Sequence, residues 1–169
     1  SLSYIWLVSN TTLANIYFAR GEIETSCSLL KKLMQQNHDI PGIKLRATGM
    51  YIQQQLRLGN IEGLETYAAR LENFARLSGT RDAQEALLYL SRLKICENKL
   101  DEAVKDLNLL EMVFEENQSN KNRITALLLL AVAHYKMDDI HKAGEYLRLA
   151  VDLASPNRYI RLFVDELPL

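Results

Sequence analysis

A short turn motif occurs four times along the chain of 169 residues, and its spacing constrains the fold more than any other feature of the sequence. The motif is a small or turn-forming residue, a polar residue, Ile or Leu, and an acidic or polar residue. Its copies start at Gly21, Gly59, Asn98 and Asp138, so successive copies are 38, 39 and 40 residues apart. A nearly constant period of this size is typical of stacked repeats, and we therefore expect a solenoid rather than a closed globule.

The segments on both sides of each motif carry apolar residues at the i, i+3, i+4, i+7 spacing of an amphipathic helix. Around the last motif, Ile124, Leu127 and Leu128 precede the turn, and Ala143 and Leu147 follow it. Breakers and cap-forming residues fall between the pairs, so each repeat is expected to be a hairpin of two antiparallel helices. The predicted helices span about residues 3–19, 22–37, 42–58, 61–77, 80–97, 100–117, 121–137 and 139–154.

Such hairpins cannot cover their own apolar faces, so they must stack on their neighbours. We expect an all-α fold, a right-handed superhelix of four TPR-like (tetratricopeptide-like) hairpins with a concave groove. The hairpins cover about residues 1–40, 41–78, 79–118 and 119–154, and a short capping helix leading to a linker follows in 155–169. In that helix Tyr159, Ile160, Phe163 and Val164 are expected to form an apolar edge that closes the stack.

Counting from each turn motif aligns the core positions of the four second helices. Close helix packing needs small residues where helices cross, and Ala103 and Ala143 are such residues in the last two repeats. The equivalent positions in the first two repeats are Ser26 and Leu64. Two further sets align as expected core residues: Leu30, Ala68, Leu107 and Leu147, and then Leu33, Leu71, Leu110 and Ala150.

The composition argues against several classes of function. Twenty Lys and Arg against 21 Asp and Glu leave a net charge of −1, so there is no global attraction to nucleic acid or anionic lipid. The two cysteines have no CxxC companion, which predicts a reduced, cytoplasmic protein without disulfides. No signal peptide or membrane span is evident. Because the chain opens without Met and inside a helical pattern, we expect it to be a fragment of a longer protein.

Motifs for catalysis and cofactor binding are absent from the sequence. No glycine is followed by the GK[ST] of a phosphate-binding loop. His38, His134 and His141 lie in different repeats or on different helix faces, without metal-ligand spacing. Cys96 lacks a His and Asp placed to activate it, so packing is favoured over a role as nucleophile. We therefore expect no enzymatic activity, no metal and no cofactor in this chain.

The end of the chain resembles that of a known family. Residues 156–166, with 150–154 before them, are similar to the pattern LA-x-P-x-x-Y-x-R-x-F-x-D-E-G. That pattern closes the helical-repeat sensor domain of large LuxR-type transcriptional activators of the MalT type. Residues 17–23 (YFARGEI), 56–61 (LRLGNI) and 99–103 (KLDEA) also look like repeats of that family. The resemblance identifies the chain as the C-terminal part of such a sensor.

The resemblance implies a larger protein around this chain. In these activators a signalling ATPase module comes first, followed by a winged-helix region, the superhelical sensor and a helix-turn-helix DNA-binding domain. ATP would therefore bind in another domain, and this chain would contact other domains of its parent protein but neither DNA nor a membrane.

The first helix of each hairpin lines the concave side of a TPR stack, so its exposed residues are the candidates for binding. This set mixes guanidinium groups, amides and aromatic rings, which suits a peptide, a sugar or an acidic effector. Alternatively, these residues are simply the solvated face of amphipathic helices. The candidates are Asn15, Phe18, Arg46, Gln53, Arg57, Glu85, Arg92 and Tyr135, together with Lys136.

The leading hypothesis is a regulatory domain that binds a small effector or an inhibitory protein and controls a LuxR-type activator. Two alternatives remain open. One is a general TPR scaffold that binds partner peptides and has no role in transcription. The other is a peptide-binding appendage of an enzyme whose catalytic domain lies elsewhere.

Overall fold

A computed structural model describes residues 2–35, 41–77, 80–157 and 159–166, and over these residues the chain is all-α. Nine α-helices and one 3-10 turn occur there, with no strand, and the predicted all-α, TPR-like fold class is confirmed. The ends predicted at residues 36–37 and the linker after residue 166 lie outside the described residues. The helices are α1 (Leu2–Ala19), α2 (Ile23–Gln35), α3 (Pro41–Arg57), α4 (Glu65–Leu77), α5 (Arg81–Cys96), α6 (Leu100–Glu116), α7 (Asn120–Lys136), α8 (Ile140–Ala154) and α9 (Ile160–Glu166), with the 3-10 turn at Ser155–Asn157.

The turn motif ends the first helix of each hairpin in the same way. At the first copy the N–H of Glu22 donates to the carbonyl of Tyr17 at 2.9 Å, and that of Gly21 donates to the carbonyl of Phe18 at 3.0 Å. This pair of bonds is the Schellman motif, which requires a left-handed residue after the helix. Gly21 supplies it with φ +80°. The same left-handed backbone recurs at Gly59, Asn98 and Asp138, and again between two hairpins at Gln118.

The second helix of the second repeat begins later than predicted. A helix is expected from about residue 61 by analogy with the other repeats, but α4 begins at Glu65. Gly63 has φ +79°, and the N–H of Leu64 bonds to the carbonyl of Ile61 at 3.3 Å, so residues 61–64 form an extra turn. Leu64 is still buried, so the turn keeps its side chain in the core.

The chain divides into two compact units, Ser1–Tyr89 and Leu90–Leu169. In the first unit, Leu30 and Leu33 of α2 pack in one cluster with Ile43, Ala47 and Met50 of α3. These α3 residues follow the i, i+4, i+7 spacing of one helix face. Stacking of the first helix of one repeat on the second helix of the preceding repeat therefore builds this core.

Helix α3 comes close to α5 at a glycine in the first unit. Gly49 is buried, and a Cβ at this position would overlap the ring of Tyr89. The absence of a side chain thus lets the aromatic ring pack directly on the α3 backbone.

Ser26 is a buried polar residue at a position where the aligned residues Leu64, Ala103 and Ala143 are apolar. Its hydroxyl lies 2.7 Å from the carbonyl oxygen of Ala14 and 2.9 Å from Oε1 of Gln54. Buried polar groups of this kind are stable when they are hydrogen-bonded. Ser26 therefore connects α2 to both α1 and α3.

The second unit is built around α7, which is buried along most of its length. Ile124, Leu127 and Leu128 of α7 pack with Ala150 and Ala154 of α8. The expected capping contact is confirmed for Tyr159 and Phe163, which pack on this cluster together with Leu162. The prediction was wrong for Ile160 and Val164, which are exposed. The inward residues Tyr159, Leu162, Phe163 and Glu166 follow the i, i+3, i+4, i+7 spacing of one helix face, and Ile160 and Val164 each lie one residue further round the helix, outside that face.

Candidate functional site

Six of the eight predicted binding residues lie in the first unit. Asn15 and Phe18 are on α1, Arg46, Gln53 and Arg57 are on α3, and Glu85 is on α5. Asn15 and Arg46 are exposed, and the other four are half-buried. The expected mixture of amide, guanidinium and aromatic groups is thus accessible on the first helices of these repeats.

Phe18 and Arg57 are brought together by the packing of α1 and α3. The guanidinium carbon of Arg57 lies 4.9 Å from the centre of the Phe18 ring. A guanidinium over an aromatic face is attracted by the ring quadrupole, and its planar fork of N–H donors matches carboxylate and phosphate groups. Gln53 and Arg46 precede Arg57 by one and three helical turns on the same side of α3. These four residues, here called the α1/α3 surface, offer donors and acceptors beside an aromatic ring.

The sequence predicts that Arg92 is an exposed groove residue, and this prediction is wrong. Its side chain is buried on α5, and its Nε donates to Oε2 of Glu166 at 2.8 Å. Nη2 donates to Oε1 of the same carboxylate, which makes the contact bidentate. A charge of this kind can be buried because the opposite charge is buried with it. The repeat register predicts the face of Arg92 but not that a residue of α9 covers it.

Tyr135 belongs to a different surface, an apolar groove in the second unit. Its side chain is 67% exposed. The groove has a volume of about 550 Å³, within the range of ligand-binding clefts, and its lining is almost entirely apolar. We call it the α8 groove; it is lined by Leu128, Ala131, Val132, Tyr135 and Lys136 of α7, Ile140, Ala143, Gly144 and Leu147 of α8, and Phe163 and Glu166 of α9.

The α8 groove is not evident from the amino-acid sequence, and Leu147 shows why. Leu147 aligns with Leu30, Ala68 and Leu107, and all four were expected in the core. The first three are buried, but Leu147 is 46% exposed and lines the groove. Leu30 and Leu107 are leucines as well, so the alignment carries no signal for the exposure of Leu147.

The two thiols and the His134 imidazole are at least partly buried. Burial raises the pKa of the Cys96 thiol, which disfavours the thiolate that a nucleophile needs. The pKa of Cys27 is raised for the same reason, and its sulfur lies 3.3 Å from Nε2 of Gln55. His134 is buried, with its ring centre 5.4 Å from that of Tyr146, and His141 is exposed. His38 lies outside the described residues.

Neither a metal-binding cluster nor a membrane-spanning helix is found in the described part of the chain. No group of three or more His, Cys, Asp or Glu side chains there could hold a metal ion. Among the helices that the structure describes, none is both long and apolar enough to cross a membrane.

The family described as the MalT-like TPR region matches residues 2–168, which is nearly the whole chain. No curated protein and no solved structure matches the chain.

Proposed function

Because the chain belongs to the family of MalT-like TPR regions, we propose that it is the effector-sensing part of a LuxR-type transcriptional activator in the cytoplasm. It binds a small effector or a regulatory protein and is not itself an enzyme. ATP binding and DNA contact are functions of other domains in the parent protein. In this proposal the chain acts through binding alone.

The pairing of Phe18 with Arg57 supports this function most directly. The repeat register predicts both residues on the concave side, although they are 39 positions apart in the sequence. On the α1/α3 surface the guanidinium carbon of Arg57 lies 4.9 Å from the centre of the Phe18 ring. An aromatic ring with a guanidinium and nearby amides is the chemistry that binds carboxylates, phosphates and hydroxyl-rich molecules. Gln53 and Asn15 add amide groups to the same pair of helices, and both are at least partly accessible.

Effector binding would act on the parent protein through a population shift. A ligand that binds one arrangement of the sensor more tightly than another stabilises that arrangement by its difference in affinity. If the favoured arrangement releases the ATPase module to self-associate, binding on the α1/α3 surface leads to transcription. The coupling is reciprocal, so ATP-dependent self-association would also tighten effector binding.

The test is a thermal-shift screen of the chain against oligosaccharides, carboxylated metabolites and phosphorylated metabolites. A ligand that binds the folded chain raises Tm in a concentration-dependent manner. We expect Arg57→Ala to weaken binding of the hit by at least about tenfold, because a charge-assisted hydrogen bond is lost.

Arg76→Ala is the matched control for this experiment. Arg76 is an exposed arginine of the same unit, but it lies on α4 rather than on the α1/α3 surface. The control should bind the hit as the unmodified chain does, and both variants should keep their helical circular dichroism. A hit with equal affinity for all three proteins would refute the assignment of Arg57 to the effector site.

The apolar α8 groove favours a second candidate function, that of a TPR scaffold for protein partners. An apolar, open groove is better suited to aliphatic side chains of a protein than to a hydroxyl-rich molecule. A chain that binds peptides but shows no Tm shift with any small molecule would favour the scaffold over the sensor.

A further inference from the structure

Leu147 is exposed at a position that is buried in the other three second helices. At the equivalent position of the other second helices, Leu30, Ala68 and Leu107 are at most 8% exposed, whereas Leu147 is 46% exposed. The residue type cannot explain this difference in exposure, because Leu30 and Leu107 are leucines like Leu147. In the first unit Leu30 is covered by α3, the helix that follows α2. What distinguishes Leu147 is therefore that, in the described part of the chain, no helix covers it as α3 covers Leu30.

The exposed face of α8 extends along the helix. Ile140 is 57% exposed and Val151 is 47% exposed, and together with Leu147 they follow the spacing of one helix face. Gly144 lies between them, and a Cβ placed there would meet no atom within 4 Å. This open space beside a glycine is where a second helix backbone can approach closely. Phe163 of α9 forms the opposite wall of the groove.

We propose that the α8 groove is a docking site for an amphipathic α-helix of a partner protein, seated on α8 as α3 is seated on α2. The repeat itself supplies the model for this occupant, because α7 also contacts α6 in the second unit. The docking surface continues the stacking interface between successive repeats. The proposal concerns the second unit and does not depend on effector binding at the α1/α3 surface.

The structure also describes the chemistry of the partner helix. Ile43, Ala47 and Met50 of α3 present apolar side chains at i, i+4 and i+7 to α2. The partner helix needs the same spacing, with a small residue at its centre where it passes Gly144.

The probe for this test is a fluorescent peptide with the sequence of α3, Pro41–Arg57. It carries the apolar spacing that covers the equivalent face in the first unit. Its binding to the full chain is measured by fluorescence anisotropy. A control peptide in which Ala47 and Met50 are both replaced by Asp removes the apolar face.

Two leucine variants of the full chain locate the binding site. Leu147→Lys places a charge in the groove, and Leu149→Lys places the same charge on α8 outside the groove lining. The two leucines are matched, with exposures of 46% and 44%, so both variants should fold, which circular dichroism checks. We expect Leu147→Lys to weaken peptide binding by at least about tenfold, since a charge in an apolar contact remains unsatisfied. Leu149→Lys should leave the affinity within about twofold.

Two results would overturn the proposal. The first is absence of saturable peptide binding, or binding that Leu147→Lys and Leu149→Lys affect equally. The second is a chain that forms dimers in analytical ultracentrifugation, with Leu147→Lys monomeric, because the occupant of the groove would then be a second copy of the chain. A monomeric chain with binding that depends on Leu147 supports the partner helix.

Discussion

The guanidinium of Arg92 and the carboxylate of Glu166 form a buried bidentate ion pair across 74 residues of the chain. Their side chains are only 5% and 4% exposed. The pair ties α9, the last helix, to α5 within the second unit. Because Phe163 and Glu166 of α9 also line the α8 groove, this ion pair holds one wall of the proposed docking site.

Removing the carboxylate of this pair should strongly destabilise the chain. Glu166→Ala leaves the Arg92 charge buried without its carboxylate, and we expect a loss of about 3–5 kcal/mol in the free energy of unfolding. Urea unfolding followed by circular dichroism measures the loss. Asp152→Ala serves as control, because its partner Arg148 is exposed and such surface pairs contribute about 0–1 kcal/mol.

A double variant separates the charge from the packing of this pair. Arg92→Met with Glu166→Leu replaces both charges by apolar groups of similar length, and this exchange is often neutral or stabilising. We expect the double variant to recover most of the stability that Glu166→Ala loses. If it is as unstable as the single variant, the burial of a lone charge is not the cause.

Glycine at residue 118 should stabilise the chain. Gln118 has φ +53°, in the left-handed region that costs a residue with a Cβ roughly 1–2 kcal/mol. The two other non-glycine residues with positive φ are Asn98 and Asp138, and they are better suited because Asn and Asp tolerate this region well. We therefore expect Gln118→Gly to raise the free energy of unfolding by about 1 kcal/mol in urea titrations.

The neighbouring residue provides the control for this prediction. Asn117 has φ −83°, so a glycine there relieves no strain and should be neutral or slightly destabilising. Equal gains from Gln118→Gly and Asn117→Gly would contradict the assignment of strain to residue 118.

The turns were the part of the fold most open to prediction from sequence. The Schellman turn needs a residue that accepts positive φ, and Gly, Asn and Asp report that need in the sequence at Gly21, Asn98 and Asp138. The extra turn at Gly63 escaped prediction because Ile61 continues the apolar pattern and masks it. A backbone conformation can therefore be predicted from the sequence where only a few residue types adopt it readily.

The candidate site was less predictable, because exposure depends on which distant segment covers a residue. Phe18 and Arg57 were both chosen from the repeat register, and α1 packs so that they meet. The same register failed for Arg92, which Glu166 covers, and for Leu147, which nothing in the described residues buries. The repeat pattern describes the contacts between successive repeats. The exposure of Arg92 and Leu147 depends instead on which segment outside that pattern packs on them.

Two helical glycines should respond in opposite ways to alanine. Helix propensity alone favours alanine by about 1 kcal/mol at both positions. At Gly49 the new Cβ would overlap the Tyr89 ring, so we expect a net loss of about 1–3 kcal/mol in the free energy of unfolding. At Gly144 no atom lies within 4 Å of the new Cβ, so we expect a gain of about 0.5–1 kcal/mol. Thermal and urea unfolding of both variants test the pair, and a gain at Gly49 would contradict the close approach of Tyr89 to α3.

The N-terminus of α8 should make the stability of the chain depend on acid pH. The backbone N–H of Lys142 donates to Oδ1 of Asp139 at 3.1 Å, and this bond holds the pKa of Asp139 below its ordinary value of 3.8. Since the pKa is lower in the folded chain, the contribution of this carboxylate is complete above the ordinary pKa. It is lost as the pH falls through the folded value.

Asp139→Asn isolates this contribution, because asparagine keeps the capping oxygen but cannot titrate. We expect the unmodified chain to lose more stability than Asp139→Asn between about pH 5 and pH 3. Asp152→Asn makes the same charge change on an exposed part of α8 and should follow the unmodified chain. Urea unfolding at several pH values measures the three profiles. Parallel profiles for the unmodified chain and Asp139→Asn would show that the cap at Asp139 does not contribute to the acid sensitivity.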